Sequence, residues 1–173
     1  MKSKQKLSLL IPVLIITSIV LTGCPYSSNV ALDSTPQYKI SNDLLGTWKR
    51  NQSNRDSTWV KFEKESDVNY KITANLFSTS DRMYEINKFT AFLSYIAKHW
   101  ILNMKENTTG SYYYVAISFN NGNLTMTAFS DDIEDKFETS KEAKDYFTKE
   151  LSKPEDKIRF DEGSELKDLK KTQ

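Results

Sequence analysis

Between Gln37 and Lys153 the chain contains no proline, and through most of that span apolar and polar residues alternate. Proline removes a ladder donor, so a long stretch without it suits paired strands. Alternation with a period of two puts every second side chain on one face, the pattern of a half-buried sheet. The four prolines stand at positions 12, 25, 36 and 154, all outside the span. Many short strands sharing one oily face are therefore expected.

Val68–Phe77 shows the pattern most clearly: Val68, Tyr70, Ile72, Ala74 and Leu76 alternate with Asn69, Lys71, Thr73 and Asn75. Before it, Thr47–Arg50 reads as a first strand behind Leu44, Leu45 and Gly46. Ser57–Lys64 sets Val60 and Phe62 opposite Lys61 and Glu63, and Ser66-Asp67 marks the turn. Met83–Ile96 carries Phe89, Ala91, Leu93 and Tyr95 on one face, but Phe92 and Ile96 on the other; such a strand is either covered on both sides or bulged. A tight turn at Ala97-Lys98 leads to Trp100, Leu102 and Met104, and Asn107–Gly110 turns into Ser111–Phe119. In that last strand Tyr113, Val115, Ile117 and Phe119 share a face, which puts Tyr112 and Tyr114 outside. Asn120-Asn121-Gly122-Asn123 contains Asn-Gly, a strong hairpin signal, and joins to Leu124, Met126 and Ala128.

The period then changes. Thr139 and Glu142 have the spacing of a capping box. Ala143, Tyr146, Phe147 and Leu151 follow at helical spacing, with Pro154 just past the end. A last short strand is expected over Lys157–Asp161, carrying Ile158 and Phe160; the charged tail from Glu165 continues it or frays. The fold class expected is mainly β: an eight-stranded antiparallel meander closed as a barrel, with one helix before the last strand. Closure removes the open edges that would otherwise pair with other chains. Eight strands leave an interior that side chains fill or a small ligand occupies.

The N-terminus carries a separate message. Lys2, Lys4 and Lys6 precede an apolar run from Leu7 to Leu21, then Leu21-Thr22-Gly23-Cys24. This order resembles a bacterial lipoprotein signal with its lipobox. The resemblance implies a signal peptide over residues 1–23, cut just before Cys24, and a diacylglyceryl group on the Cys24 thiol. The competing reading is a transmembrane anchor, but the run is shorter than the roughly 20 residues a spanning helix needs, and it contains Pro12. Cys24 is the only cysteine, so no disulfide is available. Residues 24–40, rich in Ser, Asn, Thr and Pro, read as a lipidated flexible tether, and residues 41–173 as the barrel domain. The location implied is the bacterial cell envelope. Pro25 stands where an aspartate would resemble an inner-membrane retention signal, which favours the outer membrane in a Gram-negative source; a Gram-positive source stays open.

Leu45-Gly46-Thr47-Trp48 resembles the lipocalin signature, Gly-x-Trp at the start of the first strand. The likeness covers most of Leu44–Phe160. It implies that Gly46 turns the chain into the barrel, that Trp48 seals the closed end, and that an arginine near the last strand stacks over Trp48. Arg159 is the candidate by position, Arg50 and Arg55 lying earlier. The helix departs from the usual lipocalin order by preceding the last strand.

Little in the chain points to catalysis. Of 24 basic and 23 acidic residues, removing Lys2, Lys4 and Lys6 leaves 21 against 23. That balance has no basic face for nucleic acid. His99 is the only histidine and falls on the outer face. Asp131-Asp132-Ile133-Glu134-Asp135 gathers four carboxylates without the glycine and ligand spacing of a calcium loop, and reads as a solvated loop. Asn107-Thr108-Thr109 and Asn123-Leu124-Thr125 fit a glycosylation pattern but read as turn and strand residues. No phosphate loop, His-Glu-x-x-His, Gly-x-Ser-x-Gly or Cys-x-x-Cys occurs. The expectation is a non-enzymatic protein with no cofactor and no metal.

Two functional readings follow. In the first, the barrel binds a small apolar ligand or lipid against Phe62, Tyr70, Ile72, Leu93, Trp100, Leu102, Met104, Tyr113, Val115 and Met126. In the second, an envelope accessory protein binds a partner protein through Phe92, Ile96, Tyr112 or Tyr114 on its outer face.

Overall fold

A computed structural model describes residues 25–50, 58–78 and 82–172. The signal read over residues 1–23, Cys24, Arg55 and Ser57 lie outside the described residues. In chain order the strands are β1 (Ser27–Ser28), β2 (Gly46–Lys49), β3 (Trp59–Lys64), β4 (Tyr70–Ser78), β5 (Met83–Ile96), β6 (His99–Glu106), β7 (Tyr112–Asn120) and β8 (Asn123–Ala128). Helix α1 (Ser140–Leu151) and strand β9 (Leu166–Thr172) follow. Strands β2 to β8 form a meander in which each is antiparallel to the next. Strand β9 lies between β8 and β2 and closes the ring. The result is an eight-stranded antiparallel barrel of lipocalin type, with the helix before its last strand. The two-residue β1 adds to β7 at Tyr112 and Tyr113, just beyond the reach of β8.

The closing strand is not the one the alternation suggests. Lys157–Asp161 makes no strand: a 3₁₀ turn covers Glu155–Lys157, and Phe160 forms one isolated bridge to Phe129. The charged tail does the closing. Leu166 and Leu169 are three residues apart, so strict alternation would send one of them outward. Asp168 instead takes φ 53°, and the register against β8 shifts between Leu124 and Met126. That bulge turns both leucines inward, Leu169 fully buried.

Strand β5 resolves as covered on both sides. On its inner side Phe89, Ala91 and Leu93 join Trp48, Val60, Phe62, Tyr70, Ile72, Leu102, Met126 and Leu169 in the barrel core. On its outer side Phe92, Ser94 and Ile96 are buried, Ser94 bonded to Asp33 of the N-terminal segment and Ile96 packed in a cluster with α1. The β5–β6 hairpin turns at Ala97-Lys98, with φ 46° and 72°. Two positive values in succession are what a tight twisted hairpin requires.

A second core sits outside the sheet. Thr139 caps α1 with the capping box its spacing predicts: the Glu142 amide donates to Thr139 Oγ1 and the Thr139 amide to Glu142 Oε2, both at 3.2 Å. Ala143, Phe147 and Leu151 on the inward face of α1 pack on Ile96, Ile101, Tyr114 and Phe129. The stretch read as a flexible tether is docked here along much of its length, with Tyr26, Ala31, Leu32 and Asp33 buried. It runs from Pro25, bridged to Ser130 at one end of the barrel, to Tyr38, edge to face with Trp100 at the other. The Tyr26 hydroxyl donates to the Asp135 carbonyl at 2.8 Å, and burial pushes its pKa up to about 12. Burial likewise raises Tyr114, whose hydroxyl donates to the Val30 carbonyl.

Polar groups hold this strap at its middle. Asn103 Oδ1 accepts the Leu32 amide at 2.7 Å, and Asn103 Nδ2 donates to Ser94 Oγ at 2.8 Å. Ser94 Oγ donates to Asp33 Oδ2 at 2.5 Å, and Lys144 of α1 pairs with the other Asp33 oxygen. Buried polar groups are tolerable only when each finds a partner, and here the strap, the sheet and the helix supply one another's.

Gly46 and Trp48 stand as the Gly-x-Trp likeness implies. Gly46 has φ 121°, and a Cβ there would meet Lys171 Cε at 2.9 Å. Trp48 is buried at the closed end, its indole N–H donating to the Leu44 carbonyl at 2.8 Å. The cation over its ring is a correction: Lys171 Nζ lies 5.5 Å from the ring centroid. Arg159 is instead on the outer face, bound to Glu150 and Tyr146. Strand β9 runs beside β2 and brings Lys171 there, whereas Arg159 precedes β9 and never reaches that end.

Candidate ligand cavity

The strands' shared inner face changes side-chain size along the barrel axis. Toward the closed end it carries Phe62, Tyr70, Ile72, Leu93 and Leu102, all buried, with Phe62 and Tyr70 edge to face at 6.0 Å. Toward the other end, β4 narrows to Ala74 and β8 ends on Ala128. The bulky half fills, and the small-residue half leaves a cavity of about 240 Å³.

Its walls are Val60, Ala74, Leu76, Phe89, Met104, Tyr113, Val115, Met126, Ala128 and Leu166. Phe89 and Tyr113 meet edge to face at 6.2 Å. Asn87, Glu106, Ser164 and Pro25 also border it, so three of these four residues supply polar groups. Glu106 Oε2 already accepts the Thr109 hydroxyl at 2.6 Å. Such a space offers apolar contact along its length and hydrogen bonding from a few polar groups, the usual composition of a small-molecule site.

Of the ten residues read from sequence as ligand-facing, Met104, Tyr113, Val115 and Met126 wall the cavity. Phe62, Tyr70, Ile72, Leu93 and Leu102 belong to the same inner core but fill its closed half. Trp100 does neither. It is 40 % exposed beside the β5–β6 turn, meeting Tyr38 edge to face at 5.0 Å and Tyr95 at a tilt at 4.8 Å. Alternation gives its face correctly but not its height: so close to the turn, the inward side is already outside the barrel. Val60, Ala74, Leu76, Phe89 and Ala128 are further wall residues whose inward face the alternation marks without singling them out as cavity lining, and Leu166 lies in the tail where the alternation breaks. The one available signal is the step from Tyr70 and Ile72 down to Ala74 along β4.

The residues of the outer-face reading are covered by the chain itself. Phe92, Ile96 and Tyr114 are buried, Tyr114 against Tyr26 and Phe147 at ring distances of 5.9 and 5.0 Å. Tyr112 packs on the edge of that cluster, with Lys105 5.7 Å above its ring. His99 borders a wider groove on the outer face of β7 and β8, beside Glu155, Asp156, Glu165 and Lys167. That groove is lined largely by polar and charged residues and offers little to an apolar ligand. No group of three or more His, Cys, Asp or Glu among the described residues could hold a metal ion.

Comparison with protein-family models, with curated proteins and with solved structures finds no significant match.

Proposed function

We propose that this is an exported lipoprotein, acylated on Cys24, that holds a small apolar molecule or lipid chain inside its barrel and performs no catalysis. The observation that carries the reading is the void of about 240 Å³ between Ala74, Phe89, Met104, Val115 and Ala128. Its size narrows the ligand. It falls below the roughly 300 Å³ at which most small-molecule pockets begin. One acyl chain segment or a compact terpenoid-sized molecule suits it better than a wide planar cofactor. The order of Lys2–Leu21 and Leu21-Thr22-Gly23-Cys24 supports envelope anchoring, and Pro25 supports the outer membrane in a Gram-negative source.

Native mass spectrometry of the protein purified from its own host tests the reading. The mature chain should begin at Cys24 with an added acyl mass, and a further apolar molecule should leave on gentle activation. A bare, unacylated chain that never carries a bound molecule would overturn it.

A further inference from the structure

We infer that the open end of the barrel faces the membrane, with the paired ends of β4 and β5 at Phe77, Met83 and Ile86 seated among the lipids, so that the cavity opens toward acyl chains. The inference rests on the acylation of Cys24 proposed above. Two independent features meet at this end. First, Pro25 borders the cavity, held by its bridge to Ser130 and by the Tyr26 amide on the Phe129 carbonyl at 2.8 Å. The residue bonded to Pro25 is Cys24, so the anchor is attached about one residue, roughly 3.8 Å, from a fixed point on the rim. Second, β4 ends and β5 begins at this same end with large apolar residues in water: Phe77 is 50 % exposed, Met83 56 % and Ile86 54 %. Trp59, at the start of β3, lies one strand further round the same outer face, in line with Asn75 and Ile86. Trp59 is partly exposed.

The closed end also exposes aromatic rings, and it is the competing face. Ring contacts do not separate the two ends: Trp100 meets Tyr38 edge-on and Tyr95 at a tilt, Phe119 meets Trp48 at 5.9 Å, and at the open end Phe77 meets Tyr84 edge-on at 5.3 Å. Distance separates them: the closed end lies a barrel's length from Pro25, about the eight residues of β6, or roughly 26 Å at about 3.3 Å per residue. A short, docked link from Cys24 favours the near end.

The tryptophans report which end is down. The full acylated chain is reconstituted into phosphatidylethanolamine–phosphatidylglycerol vesicles whose acyl chains do or do not carry bromine, a contact quencher. Intact mass of the same sample establishes acylation. Brominated lipid should quench the wild type, Trp59→Phe should lose that quenching, and Trp100→Phe should keep it. Met83→Ser with Ile86→Ser, both at exposed positions, should reduce it without unfolding the barrel. An acylated protein whose quenching is lost in Trp100→Phe instead, or that shows no quenching, overturns the orientation alone. An unacylated protein overturns both the orientation and the reading beneath it.

Discussion

Truncating Phe147 to alanine should destabilise the protein by about 3–5 kcal/mol. Phe147 is fully buried, and its ring meets Phe129 at 4.7 Å, Tyr114 at 5.0 Å, Tyr146 at 5.2 Å and Tyr26 at 5.6 Å. One side chain thus joins the helix, the strap and the outer face of the sheet. Removing it loses transfer energy, leaves a cavity and abolishes several ring contacts worth about 0.5–1.5 kcal/mol each. Urea unfolding reads the total. Hydrogen exchange reads where it falls: protection of the Leu32 amide, bound to Asn103 Oδ1, should drop before that of the inner strands. Ligand binding should survive wherever the protein is folded, because the sheet separates this core from the cavity. A loss below about 1 kcal/mol would show that the outer core is not a cooperative part of the fold.

Lowering the pH from 7 to 2 should remove about 3 kcal/mol of stability through Glu150 alone. Its carboxylate is buried in the last turn of α1, and burial by itself would raise its pKa. The hydrogen bonds it accepts outweigh that: Lys153 Nζ at 2.6 Å, and Arg159 through its amide at 3.0 Å, Nε at 3.3 Å and Nη2 at 3.0 Å. Together they hold its pKa at about 2, against an ordinary 4.5. The unfolded chain therefore binds the proton first. The contribution is fully present above pH 4.5, declines as pH falls through the window, and is gone below about 2. Other carboxylates titrate over the same range, so the readout is the stability difference between the wild type and Glu150→Gln. That difference should shrink steadily across the window; a gap that stays constant down to pH 2 would contradict the ion-pair assignment.

Much of the barrel is legible in the residues because a strand's side chains obey a period of two wherever one face is buried. Tyr70-Ile72-Ala74 and Tyr113-Val115-Ile117 announce their inner faces, and Asn121-Gly122 announces its hairpin, with φ 50° and 78°. Thr139 and Glu142 announce the start of the helix by a local hydrogen-bond geometry that needs no tertiary context. Tertiary context decides the rest. Leu166 and Leu169 conceal the closing strand because a bulge at Asp168 breaks the period that would reveal it. Residues 25–33 look polar enough for a loose tether, yet Leu32 and Tyr26 find a greasy outer face, and Asn103 and Lys144 satisfy their polar neighbours. Those partners lie 71 and 111 residues away, beyond the range of any local pattern. The cavity was half visible. Alternation shows which side chains point inward, but not that Phe62 and Leu102 fill their end while Ala74 and Ala128 leave theirs hollow.

The central claim is that this hollow half takes an apolar chain. Calorimetric titration with saturated fatty alcohols of increasing length tests it most directly, using the wild type and Ala74→Phe, whose ring would occupy the void. Each buried methylene contributes about 0.8 kcal/mol, or about a fourfold gain in affinity. Wild-type affinity should therefore climb by that step until the cavity is full and then level off, while Ala74→Phe, if still folded by its unfolding transition, binds none of the series. Affinity independent of chain length, or a folded Ala74→Phe that binds as the wild type does, would contradict the account.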